Sequence, residues 1–303
     1  MHEALRLTGE LRPLERPVLV ASFSGWNDNG GAASHTLDYL IEQWEATPLA
    51  TIDPEPFYDF TVQRPRVRLE NDERVIDWPE NRFLIARPPG AERDFVLLTG
   101  VEPHLRWRTF TEIIADVMRE VGATTSITLG AQPSGVPHTR ALPLNLSASH
   151  PDFEELFGLK APASRYQGPT GIVGVMNLHH RALGWRNASL WALIPHYLTI
   201  GPNPNAAISL VSALDSGFKS RTAIAPLERQ AEDFLRQVGQ AMSQSPDAAG
   251  YVRQLEEQYD TNRPALPRPP DAPVEELPAT EDILSDLDAF FRRGAGGDSE
   301  QRE

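Results

Sequence analysis

Nothing constrains the fold of this chain more than Val18-Leu-Val-Ala-Ser22 running straight into Phe23-Ser-Gly-Trp-Asn-Asp-Asn-Gly-Gly-Ala-Ala33. An apolar, β-branched run enters a polar, glycine-rich turn. The turn opens onto apolar residues at helical spacing, Ala33, Leu37, Leu40, Ile41 and Trp44. This order reads as strand, tight turn and helix, the opening unit of an α/β domain. In sheets of that kind ligands sit beyond the carboxyl ends of the strands, which is where such a turn lies.

The pattern repeats. Leu49–Ile52, Phe83–Ala86, Phe95–Leu98, Ser126–Leu129, Ile172–Val175 and Trp191–Ile194 read as further strands. Val67–Leu69 and Arg74–Ile76 flank Asn71-Asp72, as in a hairpin. Leu105, Phe110, Ile113, Ile114, Val117, Met118 and Val121 predict a helix closed by Gly122, and Asn205–Leu214 predicts another. The expected fold is a three-layer α/β/α core over residues 17–220, after a lead-in at 1–16. Residues 221–261 read as a helical hairpin, with one apolar face on Leu227, Ala231, Phe234, Val238 and Met242 and another on Tyr251, Val252, Leu255 and Tyr259. Six prolines mark 262–279 as an extended linker, and Ile283, Leu284, Leu287, Phe290 and Phe291 predict a short acidic amphipathic helix within 280–303.

Composition narrows the functional classes. The chain has no cysteine, so thiolate nucleophiles, thiolate metal sites and disulfides are out. The net charge of −14 argues against a nucleic-acid phosphate backbone as partner. No apolar run is long enough to span a bilayer, and the first residues lack the pattern of a signal peptide, so a cytoplasmic location away from membranes is expected. Neither GxGxxG, GxxxxGK[ST] nor GxSxG occurs, and nothing calls for a cofactor. Metal binding would need His with Asp or Glu. There is no HExxH, and the adjacent His179 and His180 cannot both point inward from one regular element, so no metal site is expected.

Polar residues nevertheless gather after several predicted strands. Asn27, Asp28, Gly30 and Gly31 could bring backbone N–H groups up to an anionic ligand, with Asp28 as anchor or base. Alternatively, Asp28 or Asn29 caps the helix. Glu102, His104 and Arg106 precede the next helix and could hold a phosphate or share a proton, or simply begin that helix. His138 and Arg140 follow Leu129, Asn177 and His179-His180 follow Val175, and His196 follows Ile194. A small-molecule enzyme would use Arg106 and Arg140 for the anion and His104, His138 or His196 for proton transfer. It would need Asp28, Glu102, His138 and His196 in one pocket.

Five stretches taken together resemble the proteasome assembly chaperone 2 family, in its bacterial, actinobacterial-type branch. They are Ser24–Ala33, Thr99-Gly-Val-Glu-Pro-His-Leu-Arg-Trp107, Leu129-Gly-Ala-Gln-Pro-Ser-Gly-Val-Pro-His-Thr-Arg140, Ser164–Val175 and Trp191-Ala-Leu-Ile-Pro-His-Tyr197. The resemblance implies a core like that of nucleoside phosphorylases and hydrolases with added helices, self-association as a homo-oligomer such as a trimer, and a protein-binding, assembly-factor role. Some relatives carry a hydrophobic–Tyr–any tail that docks on proteasomes. Gln301-Arg302-Glu303 does not match it. The C-terminal helices are the expected contact for a protein partner. The alternative is binding or hydrolase/phosphorylase-type chemistry on a nucleoside-like or phosphate-bearing small molecule. Last comes an ATP-dependent carboxylate–amine ligase, for which a chain with only Lys160 and Lys219 as lysines offers no phosphate clamp.

Overall fold

A computed structural model describes residues 2–198, 201–244 and 246–262. The elements run β1 (Leu5–Leu7), β2 (Val18–Ser24), α1 (Ala32–Gln43), β3 (Thr47–Ile52), β4 (Arg66–Glu70), β5 (Glu73–Asp77), β6 (Asn81–Ala86), β7 (Phe95–Val101) and α2 (Trp107–Val121). Then come β8 (Thr125–Ser134), β9 (Leu144–Ala148), α3 (Asp152–Phe157), α4 (Ile172–Ala182), β10 (Arg186–Pro195), α5 (Pro204–Phe218), α6 (Ala225–Ser243) and α7 (Pro246–Asn262). The linker and acidic helix expected beyond 262 lie outside the described residues.

Eight strands form one sheet in the order β1-β3-β6-β7-β2-β8-β10-β9. The four central strands β7, β2, β8 and β10 are parallel, and both flanks are antiparallel. Strand β2 shows why the sheet has two covered faces. Val18 and Val20 point into one core with α1, α3 and α5, while Leu19, Ala21 and Phe23 point into the other with α2 and α4. Burial on both faces explains the continuous apolar run, since a one-sided strand would alternate. This is the three-layer α/β/α architecture.

The run Ile172–Val175 is not a strand. It opens α4, whose Ile172, Val173 and Met176 pack into the second core. Four apolar residues fit either period, and what decides here is a helix cap supplied from far away in the chain. Gly171 and Gly174 thus belong to a helix start. The stretch before Pro17 also holds β1, which pairs with β3. The sheet's other edge strand, β9, and the short α3 were not marked by any local pattern.

Beneath α4 the sheet is polar. The Asn177 amide donates to Ser189 (2.8 Å) and Asn187 donates to the Asn177 carbonyl (3.1 Å). Ser126 Oγ lies 2.9 Å from His180 Nδ1. His180 is fully buried, and burial together with its neighbour His179 pushes its pKa down to about 4. His179 turns outward to Glu112 (2.9 Å), so the adjacent pair divides as expected.

Two peripheral units complete the described residues. Among the described residues, strands β4 and β5 pair only with each other, around Asn71 and Asp72, both with positive φ (51° and 65°) as a two-residue hairpin turn of this hand requires. Helices α6 and α7 share an apolar cluster with Tyr197 and Leu198, just past β10. A close approach inside the sheet gives the first expected result. A Cβ on Gly100 would stand 2.0 Å from Asn81 Oδ1 and 2.5 Å from the Glu80 carbonyl oxygen. Gly100→Ala should therefore cost about 1–3 kcal/mol in chemical denaturation. An unchanged midpoint would show that β6 shifts freely.

Candidate functional site

The turn after β2 is held from within. The Asp28 carboxylate accepts the N–H groups of Ala33 (2.7 Å) and Ser34 (3.3 Å) and the Ser34 hydroxyl (2.5 Å). Those amides belong to the first turn of α1 and have no carbonyl partner inside the helix. Burial raises the Asp28 pKa against these bonds, and the charge of Asp38 adds to the rise. Gly30 and Gly31 take positive φ (61° and 58°). They do not lie open, because a Cβ on Gly201 would stand 2.5 Å from the Gly30 carbonyl oxygen. The backbone after β10 runs across the turn.

Glu102 performs the same service for α4. Its Oε1 accepts the Ile172 N–H (2.7 Å) and the amide of the buried Asn27 (3.2 Å), and its Oε2 accepts the Trp26 N–H (3.3 Å). Gly25 and Gly171 let this happen: a Cβ on Gly171 would stand 2.7 Å from Oε1, and one on Gly25 would stand 3.1 Å from the Glu102 Cβ. Helix α5 is capped as well, by Asn203, which accepts the Ala206 N–H (3.2 Å). A helix N-terminus attracts anions. Here two of them already hold carboxylates of the chain itself.

A second network surrounds Tyr197. Its hydroxyl accepts the His138 backbone N–H (2.9 Å) and lies 2.8 Å from His138 Nδ1. His138 is 7% exposed, and burial pushes its pKa down to about 4 although Glu256 pulls it up. His196 Nδ1 faces the Ser134 carbonyl (3.1 Å) and Nε2 faces the Tyr251 hydroxyl (3.1 Å). A carbonyl partner puts the hydrogen on Nδ1, so Nε2 accepts from Tyr251. Burial lowers the His196 pKa too. Arg140 donates to both oxygens of Asp260 (3.0 and 2.8 Å) and to Glu256 (3.3 Å). These bonds seat α7 on the loop after β8.

The residues singled out from the sequence thus divide. Asn27, Asp28 and Glu102 come together around two helix starts. His138 and His196 come together around Tyr197. Arg140 is taken up by α7. His104 is exposed, with Nδ1 accepting the Asp59 N–H (3.1 Å), and Arg106 is exposed with φ 53° ahead of α2. Among the described residues no three His, Asp or Glu side chains gather as a metal site. No helix among them is long and apolar enough to cross a membrane.

A cavity of about 580 Å³ lies elsewhere, between β3 and the base of the hairpin, lined by Arg6, Asp53, Glu55, Ile76, Trp78 and Glu80 among others. None of the sequence candidates reaches it. Its only local signal was the pair of acidic, proline-bearing turns Asp53-Pro-Glu-Pro56 and Asp77-Trp-Pro-Glu80. Tyr197, Tyr251, Glu256 and Asp260 were also missed as site partners, because their partners are remote in sequence.

Solved structures share this fold. A PAC2 family protein from Streptomyces avermitilis is 37% identical, with 78% of this chain and 99% of that one covered and a TM-score of 0.71. A proteasome-assembly chaperone homologue from Mycobacterium tuberculosis is also 37% identical, with the same coverage and a TM-score of 0.70. An archaeal proteasome activator from Pyrococcus furiosus, 16% identical with 78% and 98% covered, shares the fold at a TM-score of 0.62. No curated protein matches the chain. The family model for PAC2 matches residues 22–242, from the end of β2 through nearly all of α6. With that span and those actinobacterial relatives, the chain belongs to the PAC2 family.

Proposed function

We propose that this chain is a protein-binding scaffold of the assembly-factor kind, acting as a homo-oligomer. The observation that carries the reading is the hairpin β4–β5. Val67 and Leu69 share one face with Ile76, the partner of Val67, and all three are at least half exposed. Trp78 follows at the hairpin base, edge-on to Phe60 at 4.8 Å. An isolated two-stranded hairpin is marginal in water, and apolar side chains on it call for cover by another surface.

The capped helix starts support the same reading from the other side. Asp28 and Glu102 fill places where an enzyme of this architecture would receive an anionic substrate. The relatives described as a proteasome-assembly chaperone homologue and a proteasome activator fit a role in protein assembly. The first occupant of the hairpin is a second copy of this chain, with the trimer as the state to test.

Val67→Glu combined with Leu69→Glu should leave the protomer folded by circular dichroism, since neither side chain is buried within it, and should dissociate the oligomer seen by native mass spectrometry and light scattering. If the wild type is monomeric, or if the double variant keeps its mass, the hairpin is not a self-contact.

A further inference from the structure

Strands β2, β7 and β10 are parallel through β8, so Arg16, Arg93 and Arg186 all stand at the amino-end edge of the sheet. Two of them lie on aromatic rings. The Arg93 guanidinium is 5.2 Å above the centre of Phe218, and that of Arg186 is 5.3 Å above Phe153. Phe153 stacks on Phe157 at 6.4 Å, and Phe157 meets Phe218 edge-on at 5.9 Å. The two guanidiniums therefore cap opposite ends of a continuous row of three rings.

In a chain of net charge −14, three arginines gather at this edge, and two of them already face carboxylates. Arg186 meets Asp152, and Arg16 reaches Glu92 only at 3.9 Å. Arg93 makes no ion pair among the described residues. Burial lowers its pKa, the positive charges of Arg16 and Arg186 add to this, and the negative charge of Glu92 opposes it. A guanidinium laid flat on a ring keeps its N–H edge outward for a carboxylate. Because the two stacked arginines are separated by the row of rings, a spaced series of carboxylates suits them better than one small anion.

The chain itself carries such a series. Between Glu275 and Asp288 stand Glu275, Glu276, Glu281, Asp282, Asp286 and Asp288, with no basic residue among them. The described residues end on α7, which is tied beside the carboxyl end of β8 by Arg140–Asp260 and by the Tyr259 hydroxyl donating to the Ala141 carbonyl (2.8 Å). From there the far edge is roughly the length of β10, about 33 Å for its 10 residues. The proline-rich residues 263–274 span about 37 Å if extended.

We propose that the acidic stretch from Glu275 to Asp288 docks, within the same molecule, along Arg16, Arg93 and Arg186 and covers the amino-end edge of the sheet. Docked there, it also screens that edge from other polyanions, so the stretch acts as an internal competitor at this row of arginines and rings.

The full chain has no cysteine, so Glu155→Cys on α3 and Ser285→Cys in the acidic stretch can be spin-labelled cleanly. Pulsed electron-spin distance measurements should give a short, narrow distance population. That population should survive dilution with unlabelled protein. It should be lost in about 1 M salt, where screening length falls to about 3 Å, and lost in Arg93→Glu with Arg186→Glu. Adding Glu275→Arg, Glu276→Arg and Glu281→Arg to that variant should restore it, which a misfolded variant could not do. A broad population insensitive to these changes overturns the proposal, as does a short distance that disappears on dilution, which would assign the contact to a neighbouring copy.

Discussion

Taking the protein from about pH 7 to about pH 4.5 is expected to cost roughly 3–5 kcal/mol of stability, through His138 and His180. Each has a folded pKa of about 4 against an ordinary value of 6.5. The unfolded chain therefore binds protons first as the pH falls below about 6.5, and unfolding takes protons up. Stability from these histidines is complete above pH 6.5, declines as the pH falls, and is gone near pH 4, where the folded form also protonates. A full shift of this size corresponds to about 3 kcal/mol for each imidazole. Asp28 works in the opposite direction, since its raised pKa makes the folded form the better proton binder. Urea unfolding at several pH values reads the effect, and His138→Gln with His180→Gln should flatten the slope. Equal stability at both pH values would mean that water reaches both rings.

Glu102→Ala should cost about 2–3 kcal/mol, because hydrogen bonds to a charged group contribute most and their donors would be stranded. The Ile172 N–H, the Trp26 N–H and the buried Asn27 amide would lose their acceptor together. For a chain of this size the midpoint should fall by roughly 4–12 °C. Glu102→Gln, which keeps one oxygen, should recover part of the loss. The variant also tests the functional reading. Sulfate or phosphate should stabilise Glu102→Ala by entering the vacated helix start, and should leave the wild type unmoved. Stabilisation of the wild type by phosphate would mean that its crevice receives anions after all, and would favour the small-molecule alternative.

What could be read from the sequence was what is local. The apolar run at Val18, its glycine turn and the α1 stripe carry their own structure, and so do the Asn71-Asp72 hairpin and the Gly122 stop. The helix start at Ile172 could not be read, since the group that caps it lies 70 residues earlier at Glu102. The same distance problem governs the site. Asp28 could be recognised as a possible cap because its partners are five and six residues on. Arg140 looked available only because Glu256 and Asp260 come 116 and 120 residues later. The places of Asp28, Glu102 and His196 just beyond strands could be read from the apolar runs before them, whereas Asn177, His179 and His180, read the same way, lie on α4 instead. Which of them would be spent on one another could not be read.

The strand order has a consequence for how the chain is made. Strand β9 leaves the ribosome long before β10, yet in the finished sheet β10 lies between β8 and β9 and is the partner of β9 among the described residues. About 40 residues separate the two, so at 5–20 residues per second translation leaves roughly 2–8 s in which β9 and the open edge of β8 have no hydrogen-bonding neighbour. A premature β8–β9 pairing would occupy the slot that β10 needs. The polar residues of β9, Asn145 and Ser147, and the proline ahead of it at Pro143 are features that weaken such an early pairing. Slow codons or a pause before Arg186 would lengthen the exposure, and yield of soluble protein should track the speed of that one short passage of synthesis.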